Sequence, residues 1–422
     1  MRIAIATLGC KINQYEADLL RQDLVSRGNA VVPFEDQADV YIINTCSVTA
    51  KSDTQCRQAI RAAVRRGQGA RVVVTGCYAE TRPEEIRSIP GVDLVIGNDA
   101  KSSIPGLVQS TAPQTPELSG TSGAVKAVQG RTRAFLKIQT GCNNRCSYCI
   151  VPFARGASRS SPLADVQNEF DRLVRAGCPE IVLTGIHIGA YGADLPERTN
   201  ITDVLKMLVA QRGRSRLRLS SIEPQEITDD MIQLLGNGLC RHLHVPLQSG
   251  DNGILASMRR NYTSEIYSKL LDHIVNDSRD AALGADVMVG FPGEGESEFL
   301  NTMRLVEKAP LTHLHVFSYS PRPGTAAATM KGQVSEPVKK ERSEALRNLG
   351  KEKNLAFRKK HLGSKLRVVV EDKVDAENGL YSGLTDNYIR VQIMGAKNDQ
   401  IGKEITIMLK TVEKSNNIAE IL

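Results

Sequence analysis

Three cysteines spaced as Cys142-Asn-Asn-Arg-Cys146-Ser-Tyr-Cys149 constrain this chain more than any other stretch. Thiolates this close in sequence converge on one small volume and bind a metal there. A structural zinc ion takes four ligands, and the next cysteine and histidine are distant, at Cys178 and His187. Three cysteines instead suit an iron–sulfur cube, which keeps its fourth iron open to a small molecule. No apolar run reaches the ~18 residues of a membrane span, and residues 1–5 read as a first strand without signal-peptide organisation. The expectation is a cytoplasmic chain with no membrane partner, whose nine cysteines serve metals or packing rather than disulfides. Its 422 residues leave room for two or three domains.

Residues 1–110 alternate strands over 2–7, 39–44, 71–75 and 93–96 with helices over 14–26 and 50–66. Apolar runs separated by helices predict an open parallel sheet. Cys10, Cys46 and Cys77 each follow one of the first three strands. Parallel strands end at one edge, where open α/β sheets bind their ligands. Three strand-end thiols therefore predict a second metal site with an open position. Cys56, Cys178 and Cys240 fall outside both sets and read as packed residues. Arg57, Arg61 and Arg65 form a basic stripe along the second helix.

Residues 111–130, rich in Ser, Thr, Pro and Gly, read as a linker. Six strand-type segments follow, at 133–139, 180–184, 216–220, 242–245, 285–289 and 313–317, with helices between them. That is two βα units short of a full eight-stranded barrel. Polar residues gather at the strand ends: Thr184 and Gly185, Ser221 and Glu223, Gln248, and Gly290. Such positions can hold a charged, nucleoside-bearing cofactor at a barrel mouth. The pairs His242/His244 and His313/His315 each put two imidazoles on one strand face. Between 337 and 367 there are eleven Lys or Arg against three Glu, in a stretch that is helical to about 360. Short strands at 365–371, 388–393 and 404–410 then predict a small barrel. A basic helix beside a small barrel fits RNA docking, where phosphate contacts supply much of the affinity.

Together these stretches resemble one family. Leu8-Gly-Cys10-Lys-Ile-Asn13, Ile43-Asn-Thr-Cys46, Thr75-Gly-Cys77-Tyr78 and the Cys142 loop are similar to those of the radical S-adenosylmethionine (SAM) methylthiotransferases. So are Leu183-Thr-Gly-Ile-His187, His244-Val-Pro-Leu-Gln-Ser-Gly250 and Asp286-Val-Met-Val-Gly-Phe-Pro-Gly-Glu294. The Gly-Cys-Lys-Ile-Asn run is most similar to the branch acting on N6-threonylcarbamoyladenosine (t6A) of tRNA.

The resemblance implies an α/β chain in several parts. They are an N-terminal open parallel-sheet domain at 1–110, the linker at 111–130, and a partial (β/α)6 radical SAM barrel at 131–336. A basic helical connector at 337–362 and a small C-terminal TRAM-like β-barrel at 363–422 complete it. Two [4Fe-4S] clusters are implied: one on Cys142, Cys146 and Cys149 that binds SAM, and an auxiliary one on Cys10, Cys46 and Cys77 that carries sulfur. Tyr148 and the strand-end residues would hold SAM, whose one-electron cleavage gives the radical that activates C2 of the adenine at tRNA position 37. Arg57, Arg61, Arg65, Lys359 and Lys360 would meet tRNA, and a flavodoxin or ferredoxin would supply electrons. The resemblance names no sulfur donor and no acid or base residue. Isopentenyladenosine or a ribosomal-protein aspartate stays open as target, as does a second cluster used only for electron relay.

Overall fold

The structure is a computed structural model that describes residues 1–109, 132–414 and 416–422. The expected linker lies outside the described residues. Contacts divide the chain into two compact units: Met1–Lys126 with Thr140–Arg159 and Ser320–Ala328, and Ala127–Gln139 with Ser160–Tyr319 and Thr329–Leu422. The Cys142 loop therefore groups with the N-terminal sheet, across the boundary expected at 131.

In the first unit, β1 (Arg2–Thr7), β2 (Ala30–Val32), β3 (Val40–Thr45), β4 (Arg71–Gly76) and β5 (Leu94–Ile96) form a parallel sheet in the order β2-β1-β3-β4-β5. The central β3 is buried along its whole length, as a strand covered on both faces must be. The helices are α1 (Lys11–Ser26), α2 (Ala50–Arg66), α3 (Cys77–Thr81), α4 (Pro83–Arg87) and α5 (Ile104–Gln109). One apolar cluster joins Leu20, Leu24 and Ile104 to the sheet, and another joins Ile60, Ala63 and Tyr78. A Thr49–Ser52 capping box starts α2. Strand β2 was not expected: its three residues end at Pro33, too short to show a period.

The chain continues through β6 (Arg133–Lys137), the short β7 (Gln139–Thr140), the cysteine loop, α6 (Val151–Arg155) and the short β8 (Arg159–Ser160). In the second unit β6 pairs in parallel with β9 (Glu180–Thr184) and β9 with β10 (Arg216–Leu219). A second parallel sheet holds β11 (His242–His244), β12 (Ala282–Val289) and β13 (His313–Ser318). Bridges Leu217↔Leu239 and Ser221↔His244 join the two sheets, giving the six-stranded partial barrel. Its helices are α7 (Leu163–Arg175), α8 (Ile201–Gln211), α9 (Asp229–Leu234), α10 (Asn252–Ser257), α11 (Ser264–Asp277) and α12 (Glu296–Lys308). Ile181, Leu183, Leu217, Leu219, Leu243, Leu283 and Val287 share one apolar core with Phe170, Leu205 and Leu271 of the helices. The alternate positions, Glu180, Arg218, His244, Asp286 and His315, therefore fall on the opposite, interior face. Strand β12 starts three residues before the expected 285: Ala282-Leu-Gly284 lacks β-type side chains, but its parallel pairing with β11 holds it in the sheet.

Helix α13 (Glu336–Lys360) leads into a closed barrel of β14 (Lys365–Val374), β15 (Tyr381–Thr385), β16 (Arg390–Met394), β17 (Glu404–Val412) and β18 (Asn417–Ile421), in the order β14-β15-β16-β18-β17. The strand expected from 388 starts at Arg390, since Tyr388 lies in the preceding turn with φ 66°. A bulky residue in that region is costly, and its setting explains it. The Tyr388 ring stacks on His242 at 4.0 Å between centroids, with the Arg218 guanidinium 5.3 Å from its centre. Arg216 donates to Leu384 O at 2.6 Å, Arg218 to Thr385 O at 3.0 Å, and Arg241 to both Asp386 oxygens at 2.8 and 3.1 Å. Arg133 pairs with Glu371. All these barrel residues stand at or near the starts of their strands, so the C-terminal barrel is seated on the amino-terminal edge of the parallel one.

Candidate active site

The first unit brings the expected strand-end cysteines to one sheet edge. Cys10 caps α1, Cys46 follows β3, and Cys77 opens α3. Asn13 laces the turns together, donating to Leu8 O at 2.7 Å and Thr45 O at 2.9 Å. Its own carbonyl accepts from Asn44 Nδ2 at 2.8 Å, and Thr45 Oγ1 donates to Thr75 O at 2.5 Å. The approach is close enough to demand glycine. At Gly9, with φ 102°, a Cβ would lie 2.9 Å from Cys46 Sγ, and at Gly76, with φ 98°, it would lie 2.4 Å from Thr45 O. Burial raises the Cys46 thiol pKa, and the neighbouring Cys77 and Cys10 add to the rise. Cys56 is a packed thiol, as expected: it donates to Cys46 O at 3.3 Å and burial pushes it to about 12. Cys178 and Cys240 are likewise buried.

In the Cys142 loop, Cys142 N–H donates to Gly156 O and Cys149 N–H to Cys146 O, both at 3.1 Å. Val151 N–H points to Cys149 Sγ at 3.4 Å, and Tyr148 is half-buried beside it. At the end of α6, Arg155 is buried and donates to Asn13 Oδ1 and Glu16 Oε1. Lys101 donates to the other Glu16 oxygen, and to Asn44 Oδ1 at 3.1 Å. Burial opposes the Arg155 charge, but Glu16 and the Cys77 and Cys10 sulfurs outweigh it and raise its pKa, so the cation persists. The helix that follows one cysteine set is thus fixed to the turns that carry the other. Soft thiolates, an N–H aimed at sulfur and a buried cation near the second set fit anionic iron–sulfur clusters. Among the described residues, the one group drawn tightly enough for a single ion is His244, Asp286 and His315, not either cysteine set.

The second unit places the expected SAM-binding residues at the carboxyl ends of its strands, with varied freedom. Thr184 is buried, and a Cβ at Gly185 would lie 3.0 Å from Gln139 Oε1, which accepts the His187 N–H at 2.8 Å. Ser221 is exposed. Glu223 pairs with Arg260, yet burial outweighs the pairing and raises its pKa. Gln248 is buried at φ 64°, its N–H donating to Asp286 O at 2.8 Å. The Gly290 N–H is engaged inside its own loop, donating to Glu294 at 2.7 Å, and the Lys339 chain fills the space beside it.

The basic clusters are smaller than their sequence suggests. Arg57 is committed to Tyr78 Oη at 2.8 Å and Glu85 at 3.0 Å, which leaves Arg61 and Arg65 exposed on the stripe. On α13, Lys339, Arg342 and Arg358 are buried, Arg342 against Glu294 and Arg358 against Asn417, each at 2.8 Å. Lys359 and Lys360 are exposed, Lys360 donating to Arg279 O at 2.8 Å.

Residues 2–97 match the uncharacterized protein family UPF0004, and residues 136–306 match the radical SAM superfamily. The threonylcarbamoyladenosine tRNA methylthiotransferase MtaB of Bacillus subtilis (strain 168) is 40% identical over 422 aligned residues, covering 96% of this chain and 93% of its own. The chain belongs to the methylthiotransferase family. The Aquifex aeolicus (strain VF5) protein of the same name is 37% identical, over 97% of this chain and 100% of its own. Among solved structures, the radical SAM methyltransferase TsrM of Kitasatospora setae shares the fold with a TM-score of 0.60 at 17% identity, over 78% of this chain and 76% of that one.

As a radical SAM methylthiotransferase, the chain uses SAM and an iron–sulfur cluster. Sequence reasoning passed over Asn13, Glu16 and Arg155. Asn13 stands inside the motif with Cys10, so its place was visible, but Arg155 lies 142 residues away and no local pattern couples the two.

Proposed function

We propose that this methylthiotransferase adds sulfur and a methyl group to C2 of t6A at tRNA position 37. One observation carries the reading: both cysteine triads belong to one compact unit, joined through Asn13, Arg155 and Glu16. With its groups bound, such a site supplies one-electron cleavage of SAM at one cluster and sulfur at the other. The protein's part is positional. Asn13 fixes the turns carrying Cys10 and Cys46, Arg155 ties α6 to them, and burial shields Cys46 and Cys56 from water. The electron donor in this reading is a flavodoxin or ferredoxin, and the compartment is the cytoplasm. No described helix is long and apolar enough to cross a membrane.

Mass spectrometry of tRNA nucleosides from cells with and without the gene tests the substrate. The expected result is loss of 2-methylthio-t6A with accumulation of t6A; unchanged t6A derivatives with loss of a methylthio-isopentenyladenosine would move the chain to another branch.

Because Lys359 and Lys360 remain exposed at the end of α13, the double change Lys359→Glu, Lys360→Glu is expected to weaken tRNA binding and flatten its salt dependence. Neutralising each phosphate contact contributes a log–log salt slope of roughly 0.7–0.9. Filter binding across a salt series measures this, and an unaltered slope would return both lysines to the solvated surface.

A further inference from the structure

The interior face of the parallel barrel holds a cluster that the methylthiotransferase reading does not use. His244 ends β11, Asp286 lies within β12 and His315 within β13, with Asp286 directly opposite His315 in the register. His244 Nε2 is 3.0 Å from Asp286 Oδ1, and His315 Nδ1 is 3.3 Å from the same oxygen. The three ligand atoms all lie within 4.8 Å of one another.

Those separations suit a shared ion. First-row divalent metals sit about 2.1 Å from imidazole nitrogen and carboxylate oxygen, which puts neighbouring ligands about 3.0 Å apart at octahedral angles and about 3.4 Å at tetrahedral ones. Paired neighbouring strands carry the donors, so they are held before any ion arrives. Gly284 makes the space: a Cβ there would come 2.6 Å from His244 Nδ1 and 2.1 Å from His313 Nε2. Burial is graded, from His244, 8% exposed in its side chain, through Asp286 at 25%, to His315 at 62%. An ion can therefore enter past His315 and keep solvent or an anionic group on its remaining positions.

We propose that His244, Asp286 and His315 form a binding site for a first-row divalent transition metal, of the zinc or ferrous iron class, made of none of the cysteine ligands. Two imidazoles and one carboxylate are the donor set that such ions accept while leaving positions open.

The test uses the full chain, anaerobically reconstituted, equilibrated with zinc chloride and freed of unbound metal by gel filtration. The expected result is about one zinc per chain in addition to the iron, with a zinc-edge X-ray absorption shell of nitrogen and oxygen only. His315→Ala and Asp286→Asn should each lower zinc affinity by at least about tenfold with iron content unchanged. His315 is exposed on the last barrel strand, so its replacement leaves the fold intact. No zinc retained by the parent protein, sulfur in the zinc shell, or undiminished affinity in both variants would overturn the assignment.

Discussion

Anaerobic reconstitution of the parent chain is expected to give about eight iron per molecule, and the triple change of Cys142, Cys146 and Cys149 to Ala about four. The triple change of Cys10, Cys46 and Cys77 is expected to give about four as well. The two half-loaded proteins should differ in chemistry. The first should lose SAM cleavage altogether. The second should keep cleavage and lose methylthio transfer, because in the proposed function the Cys142 loop carries the radical-forming cluster and the strand-end set carries the sulfur. Iron assay, Mössbauer spectroscopy and release of 5′-deoxyadenosine read the outcomes separately. Only four iron in the parent protein would remove the second cluster.

The largest structural effect is expected at Glu180, which is fully buried with Arg216 and Arg218 against its two oxygens. Burial alone would raise its pKa, but the two guanidinium groups overcome that and hold it well below the usual carboxylate range. Glu180→Gln keeps the shape and removes the charge, leaving two buried cations without their shared anion. Breaking a buried pair in this way costs about 3–5 kcal/mol, to be measured by urea unfolding at pH 7. The sign with pH follows from the depressed pKa. The stabilisation is complete above the unfolded-state value of about 4.3 and is lost as pH falls below it toward the folded one. The parent protein should therefore lose stability through that acid range more steeply than the variant, and parallel pH profiles would show that the charge of Glu180 contributes little.

What the sequence disclosed and what it hid divide along chain distance. The Cys142 loop, the strand-end cysteines and the helix expected at 50–66 rest on local spacing and periodicity, and they stand where that spacing put them. Strands β15 and β18 escaped notice because Tyr381-Ser-Gly-Leu-Thr and Asn417-Ile-Ala-Glu-Ile are short and mix small or polar residues with few β-branched ones. Their pairing in a closed barrel stabilises them, and propensity does not. The basic count between 337 and 367 overstated the exposed charge for a related reason: Lys339, Arg342 and Arg358 are buried against partners that composition cannot reveal. The same limit hid Arg155, whose role depends on an asparagine 142 residues away in the chain.

The seat of the C-terminal barrel sets a length. It meets the parallel barrel at Arg216, Arg218 and Arg241, at the amino-terminal edge, whereas Thr184, Gln248 and Gly290 mark the opposite edge. The longest strand between those edges, β12, has eight residues, which with barrel tilt makes the wall roughly 20 Å tall. In the proposed function, an RNA held by the C-terminal barrel while its base reacts at the far rim would have to span that wall. Free nucleosides and very short oligomers would then be rejected as too short to touch both ends, before any base is read.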